Sequence, residues 1–66
     1  MRLTVNGTDT ELADATTVGQ LVDGLGQGRA GMAVARNDEV VPRSRWDVTP
    51  LDPGDRVELL TVAQGG

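Results

Sequence analysis

A chain of 66 residues holds one small domain, in which the share of surface buried on folding is modest and no large enclosed active site fits. It contains no cysteine and no histidine, which leaves out a disulfide framework, a thiol nucleophile, a cysteine-based metal site and most familiar side-chain catalysis. Ten acidic residues stand against six arginines and no lysine, for a net charge of −4, a balance that repels nucleic acid and suits either a solvated exterior or a partner with a basic docking surface.

Sixteen Leu and Val residues make up about a quarter of the chain, enough for an aliphatic core. The N-terminal stretch "MRLTVNGTDTELADATT" has no signal-peptide apolar block, and no segment approaches the roughly 18 apolar residues of a membrane span. The expectation is a soluble cytoplasmic protein with no nucleic-acid or membrane partner. The missing lysine means that an activated acyl group on this chain could be attacked internally only by the α-amine of Met1.

In chain order, Met1, Leu3 and Val5 alternate with Arg2 and Thr4, the period of a half-buried strand. Asn6-Gly7 fits a tight hairpin turn, and "TDTEL" returns as a second strand. Val18, Leu21, Val22 and Leu25 then fall at i, i+3, i+4 and i+7, one stripe of a short helix that Thr17 and Gln20 cap as a box and that Gly24 or Gly26 ends. "MAVAR" reads as a strand buried on both faces, and "NDEVVP" as a turn and a brief strand ended by Pro42. Pro53 and Gly54 form the centre of a type II turn that leads into "RVELLTV", the last strand. This order predicts an α+β fold, a β-grasp in which a mixed sheet of four to five strands packs on one short helix. Residues 1–62 form the β-grasp domain and residues 63–66 a mobile Gly-Gly tail.

Along the last strand Val57, Leu59 and Thr61 point to one face, and Glu58, Leu60 and Val62 to the other. If the helix covers the Leu59 face, Leu60 and Val62 lie on the open face as candidate docking residues. "GQGRAG", Gly26 to Gly31, matches G-x-G-x-x-G but follows a helix instead of opening one, so it reads as a flexible loop and not a phosphate cradle. Asp38-Glu39 and Asp52 to Asp55 lack metal-loop spacing, and no metal is expected. Ser44, the single serine, has no histidine to activate it, and Trp46, the single aromatic residue, reads as a cover for one edge of a thin core.

The remaining candidate is the sequence end, "VAQGG". Two glycines lack Cβ atoms, so Gly65 and Gly66 can extend through a narrow channel, and the Gly66 carbonyl is unhindered. A free carboxylate there is ionised at neutral pH and a poor electrophile, which implies a partner that uses ATP to activate it.

The first strand with Asn6-Gly7, "TVGQLV", "AVARN", "VVPRSRW", "GDRVELL" and the ending "QGG" stand in an order and overall length that resemble the ThiS sulfur carriers of thiamin biosynthesis, β-grasp proteins of the ubiquitin-like superfamily. The resemblance implies a carrier that is not itself an enzyme and binds no cofactor. Its Gly66 would be the attachment point for adenylate and thiocarboxylate, with Gly65, Gln64 and Ala63 as the tail and Leu60 and Val62 as partner-binding residues. It implies three partners: an E1-like adenylating enzyme that uses ATP, a sulfur-donating enzyme, and thiazole synthase as acceptor. Molybdopterin-synthase small subunits, carriers of other sulfur pathways, and an unconjugated ubiquitin-like binding module remain the alternatives.

Overall fold

Alternation in the first residues builds β1 (Arg2–Val5), with Leu3 buried between exposed Arg2 and half-buried Thr4. The computed structural model describes residues 1–61. Asn6 and Gly7 turn through positive φ, 51° and 78°, as a two-residue hairpin requires, and β2 (Thr8–Glu11) returns antiparallel with Leu3 opposite Thr10.

Helix α1 (Val18–Gly24) starts at Thr17, whose hydroxyl accepts the Gln20 N–H at 3.1 Å while the Gln20 side chain accepts the Thr17 N–H at 3.0 Å. Val18, Leu21 and Val22 are buried on its inner stripe. Leu25, the expected fourth member, is 42% exposed because it is already the C-cap, so the stripe ends a turn early. The helix entry is stitched to the segment before the last strand: the Val18 N–H donates to Thr49 O at 3.0 Å and the Leu51 N–H to Thr16 O at 2.8 Å.

β3 (Met32–Arg36) and the two-residue β4 (Glu39–Val40) form a second hairpin across Asn37 and Asp38, both at positive φ. A 3-10 helix (Arg43–Val48) and the Pro53-Gly54 turn, with Gly54 at φ 83°, lead into β5 (Arg56–Thr61). The sheet order is β2-β1-β5-β3-β4, with β5 parallel to β1 and antiparallel to β3, so β5 joins the two hairpins. This is the β-grasp arrangement, five strands on one short helix. "MAVAR" departs from its expected two-sided burial: Met32 and Val34 are buried, whereas Ala33 and Ala35 are half-buried on the other face. One helix covers one face of a sheet, and among the described residues the second face stays open.

The covered face holds Leu3, Val18, Leu21, Val22, Met32, Val34, Trp46, Leu51 and Val57. Trp46 is 1% exposed and sits in this core instead of covering its edge. The 3-10 helix swings it inward, its Nε1–H donates to Val41 O at 2.8 Å, and the guanidinium groups of Arg29 and Arg43 lie over its ring, 5.8 and 5.7 Å from the centroid.

The junction between the hairpins is held by a carboxylate. Asp55, 7% exposed, accepts from the Asp52 N–H (2.8 Å), Arg36 Nε (2.7 Å) and Asn37 Nδ2 (3.1 Å), and Arg36 also donates to Asp52 at 2.7 Å. Burial alone pushes the Asp55 carboxyl up, but the hydrogen bonds from Asp52, Asn37 and Arg36, together with the Arg36 charge, outweigh it and hold the group below the usual carboxylate range. Asn37 Oδ1 in turn accepts the Arg56 N–H at 2.9 Å, so the β3–β4 turn fixes where β5 begins.

Two stability predictions follow from this core. Trp46→Ala, a truncation that costs ~3–5 kcal/mol, removes most of the stability a domain this small can have, so its far-UV circular dichroism at 25 °C should be that of an unfolded chain, whereas Trp46→Phe should stay folded with a lower urea midpoint. Because Asp55 has a depressed pKa in the folded state, its contribution is fully present above the unfolded value of about 3.9 and is lost as pH falls below it. Asp55→Asn should therefore be less stable than wild type at pH 7, with the gap closing below about pH 4 in urea titrations.

Candidate functional site

The pleat of β5 sorts its side chains. Val57 is buried and Leu59 packs against the core, so Glu58 and Leu60 project from the open face. Leu59 is also held through its backbone, whose N–H donates to the Asn6 side-chain oxygen at 2.7 Å. Leu60 is 64% exposed opposite Ala33, Glu58 is opposite Ala35, and Ala35 is opposite Val40, which is 77% exposed. Directly paired residues share a face, so Val40, Ala35, Ala33 and Leu60 make one apolar strip across β4, β3 and β5. Two exposed aliphatic side chains stand on it with only alanine methyl groups between them.

Of the residues singled out from sequence, Leu60 stands on this strip. Val62, Ala63, Gln64, Gly65, Gly66 and the expected mobility of residues 63–66 lie outside the described residues. The strip also contains Val40, Ala33 and Ala35, which the sequence reading passed over. The signal was the alternation in "MAVAR" itself: large Met32 and Val34 face the core and small Ala33 and Ala35 face away.

Charge on the open face is acidic on balance, and Arg2 and Glu11 pair there across β1 and β2. Arg56, next to Glu58 on the same side of β5, pairs with Asp38 of the β3–β4 turn. The hydrogen bond and charge of Asp38, with a smaller contribution from Glu58, push the Arg56 pKa up. Asp9 stands opposite Thr4, which is itself opposite Arg56. Glu58 and Asp9 make no ion pair among the described residues.

Elsewhere the arginine of the "GQGRAG" loop is occupied. Arg29, from the "GQGRAG" loop, donates to both Asp23 oxygens at 2.9 Å and to Asp47 at 2.7 and 3.2 Å. Its hydrogen bonds hold both carboxyls below their ordinary range and raise its own pKa. This cluster lies against Gly19, where a Cβ would collide with the Asp47 carboxylate and the Arg29 guanidinium. The loop's one cation is thus committed to two carboxylates and is not offered to a phosphate. A cleft of about 280 Å³ between β4 and the 3-10 helix contains Arg36 and Arg45, but Arg36 is bound to Asp52 and Asp55. The α-amine of Met1 donates to Leu12 O at 2.7 Å and lies 3.3 Å from the Asp14 carboxylate.

Three comparisons bear on this arrangement. A family model described as "ThiS family" matches residues 3–66. The chain is 35% identical over 66 residues to the sulfur carrier protein ThiS of Escherichia coli (strain K12), covering the whole of both. It is 33% identical over 66 residues to a thiazole synthase of Paramagnetospirillum magneticum (strain ATCC 700264 / AMB-1), of which it spans 20%. The crystal structure of the thiamine biosynthesis protein ThiS from Geobacter metallireducens superimposes with a TM-score of 0.84 at 36% identity, covering all of both chains. A solution structure of a thiamine biosynthesis protein from Geobacter metallireducens gives 0.81 at 36% identity, covering all of this chain and 88% of that one. A five-stranded β-grasp with an open, partly apolar face and a family match from residue 3 to residue 66 has one reading: the chain belongs to the ThiS family.

Proposed function

We propose that the protein is the sulfur carrier of thiazole formation in thiamin biosynthesis, with Gly66 as the residue that bears the sulfur. The observation that carries the reading is identity over the full length to a sulfur carrier protein ThiS, with a family match that includes the Gly-Gly end. An ionised carboxylate does not react with sulfide. One Gly66 carboxylate oxygen attacks the α-phosphorus of ATP and pyrophosphate leaves. Sulfide-level sulfur delivered by a sulfur-donating enzyme then attacks the acyl carbon and AMP leaves, giving the thiocarboxylate; once that sulfur has bonded to the acceptor, water attacks the acyl carbon and breaks its bond to sulfur, which returns the carboxylate.

Every bond change in this sequence is carried out in a partner's active site. The chain's own contribution is to dock and to present the tail, with Gly65, Gln64 and Ala63 as leash and Leu60 and Val62 beside the contact. ATP belongs to the adenylating enzyme, and the carrier needs no cofactor of its own. Thiazole synthase as acceptor is supported by the thiazole synthase that contains a segment 33% identical to this chain. The same tail chemistry would serve a molybdopterin-synthase small subunit, and the relatives above favour the thiamin carrier over it.

The test is the intact mass of the protein made with its adenylating enzyme, ATP and a sulfur source. The expected result is a gain equal to replacing one oxygen by sulfur, absent when Gly66 is deleted. An unchanged mass with a demonstrably active enzyme overturns the carrier reading and favours a ubiquitin-like binding module. Mass gains on other proteins would point instead to a protein modifier.

A further inference from the structure

On the open face, Glu58 has two properties that none of the other polar groups combines. It sits at the β5 edge of the apolar strip, opposite Ala35 and two residues from Leu60 on the same side of β5, and it makes no hydrogen bond or ion pair among the described residues. Its one cationic neighbour, Arg56, is engaged by Asp38. With the exposed Arg2–Glu11 pair included, Asp38, Glu58, Asp9 and Glu11 therefore stand against Arg56 and Arg2, an excess of two negative charges on the face that also exposes Val40 and Leu60. By contrast, Arg43 and Arg45 are on the 3-10 helix, Arg43 over the buried Trp46 ring, so the chain's uncompensated positive charge is not on the sheet face.

From this we infer that Glu58 is the residue by which the open face selects its partner: it accepts an ion-paired hydrogen bond from an arginine or lysine of the adenylating enzyme, while Leu60 beside it and Val40 across Ala35 seat the aliphatic contacts. The inference rests on the carrier reading above and deepens it. The partner chemistry follows from what that enzyme must do. To join a carboxylate to ATP it has to gather cations around a triphosphate and a second anion, and the positive potential of such a site favours an acidic face on the carrier that approaches it. An acidic group at the edge of an apolar strip is complementary to that potential and mismatched to a second copy of this chain, whose equivalent face has the same negative excess. Apolar contacts supply affinity, whereas the charge steers encounter and excludes wrong partners.

The experiment measures KM and kcat for the carrier in ATP–pyrophosphate exchange by its purified adenylating enzyme, at low and high salt. Glu58→Gln should raise KM about threefold and flatten its dependence on salt, and Glu58→Arg should raise KM roughly tenfold or more, with kcat within about twofold of wild type in both. Glu39→Arg is the control for net charge, because Glu39 is exposed on the other side of β4 from Val40, and it should leave KM near wild type. Circular dichroism checks that each variant, altered only at an exposed position, stays folded. A wild-type KM for Glu58→Arg, alongside a raised KM for Leu60→Asp, overturns the charge assignment while the carrier reading stands. Equal increases for Glu58→Arg and Glu39→Arg also overturn it, since net charge alone then accounts for the effect. If the wild-type chain is not adenylated at all, the carrier reading fails and this inference fails with it. Sedimentation showing that the free chain dimerises through this face, with the dimer lost in Leu60→Asp, would assign the face to a second copy and overturn the choice of occupant.

Discussion

The fold depends on how β5 is held, because among the described residues β5 is the only strand that touches both hairpins and it is also the strand that leads to the tail. Asp55 fixes its start. A single carboxylate, nearly out of solvent, ties the turn before β5 to the turn between β3 and β4 through Asp52, Arg36 and Asn37. A buried carboxylate is costly unless each oxygen is satisfied, and here both are: one accepts from Arg36 and the Asp52 N–H, the other from Asn37. The parallel pairing of β1 with β5 is then reinforced by the Thr4 N–H donating to Asp55 O at 3.0 Å and the Asn6 N–H to Val57 O at 2.8 Å. A one-residue slip of β5 would carry Val57 and Leu59 to the open face and Glu58 into the core, so the Asp55 network sets which side chains are available to a partner.

Much of this was legible in the sequence where the signal is local. Asn6-Gly7 and Pro53-Gly54 announce their turns, and Thr17 with Gln20 announces the helix start, because each depends on residues at most three apart. What was not legible depends on distant partners. "VVPRSRWDV" has neither a period of 2 nor one of 3.6, so the 3-10 helix leaves no mark in the pattern, and without it Trp46 looks like a residue at the margin. Asp52 and Asp55 read as ordinary turn residues, and only the fold brings Arg36 and Asn37 to them. The apolar strip shows the same division. Leu60 is evident from the alternation of one strand, but Val40 joins it only through the registers of two strand pairs.

A short helix on a five-stranded sheet has room to cover one face, and the consequence is a division of labour between faces. Stability resides in Leu3, Val18, Val22, Trp46, Leu51 and Val57, all on the covered side. The open side contributes little to folding: Val40, Glu58 and Leu60 are exposed and can be exchanged at small cost to stability. Ala33 and Ala35 keep that side low, with no large side chain between the two aliphatic contacts.

For a carrier this separation matters more than for an enzyme. An enzyme's specificity is built into the walls of a pocket, where every substitution also perturbs packing. A small protein handed between partners has only its surface to be recognised by, and each partner must release it, so an apolar patch large enough to bind tightly would be a disadvantage. A strip of two exposed aliphatic residues with one carboxylate at its edge fits that requirement. The charge gives direction and fast encounter at the range of the Debye length, about 8–10 Å in physiological salt, while the limited apolar area keeps residence short. The acidity that appears in the composition only as a net charge of −4 is thus placed, through strand register, where a basic partner can read it.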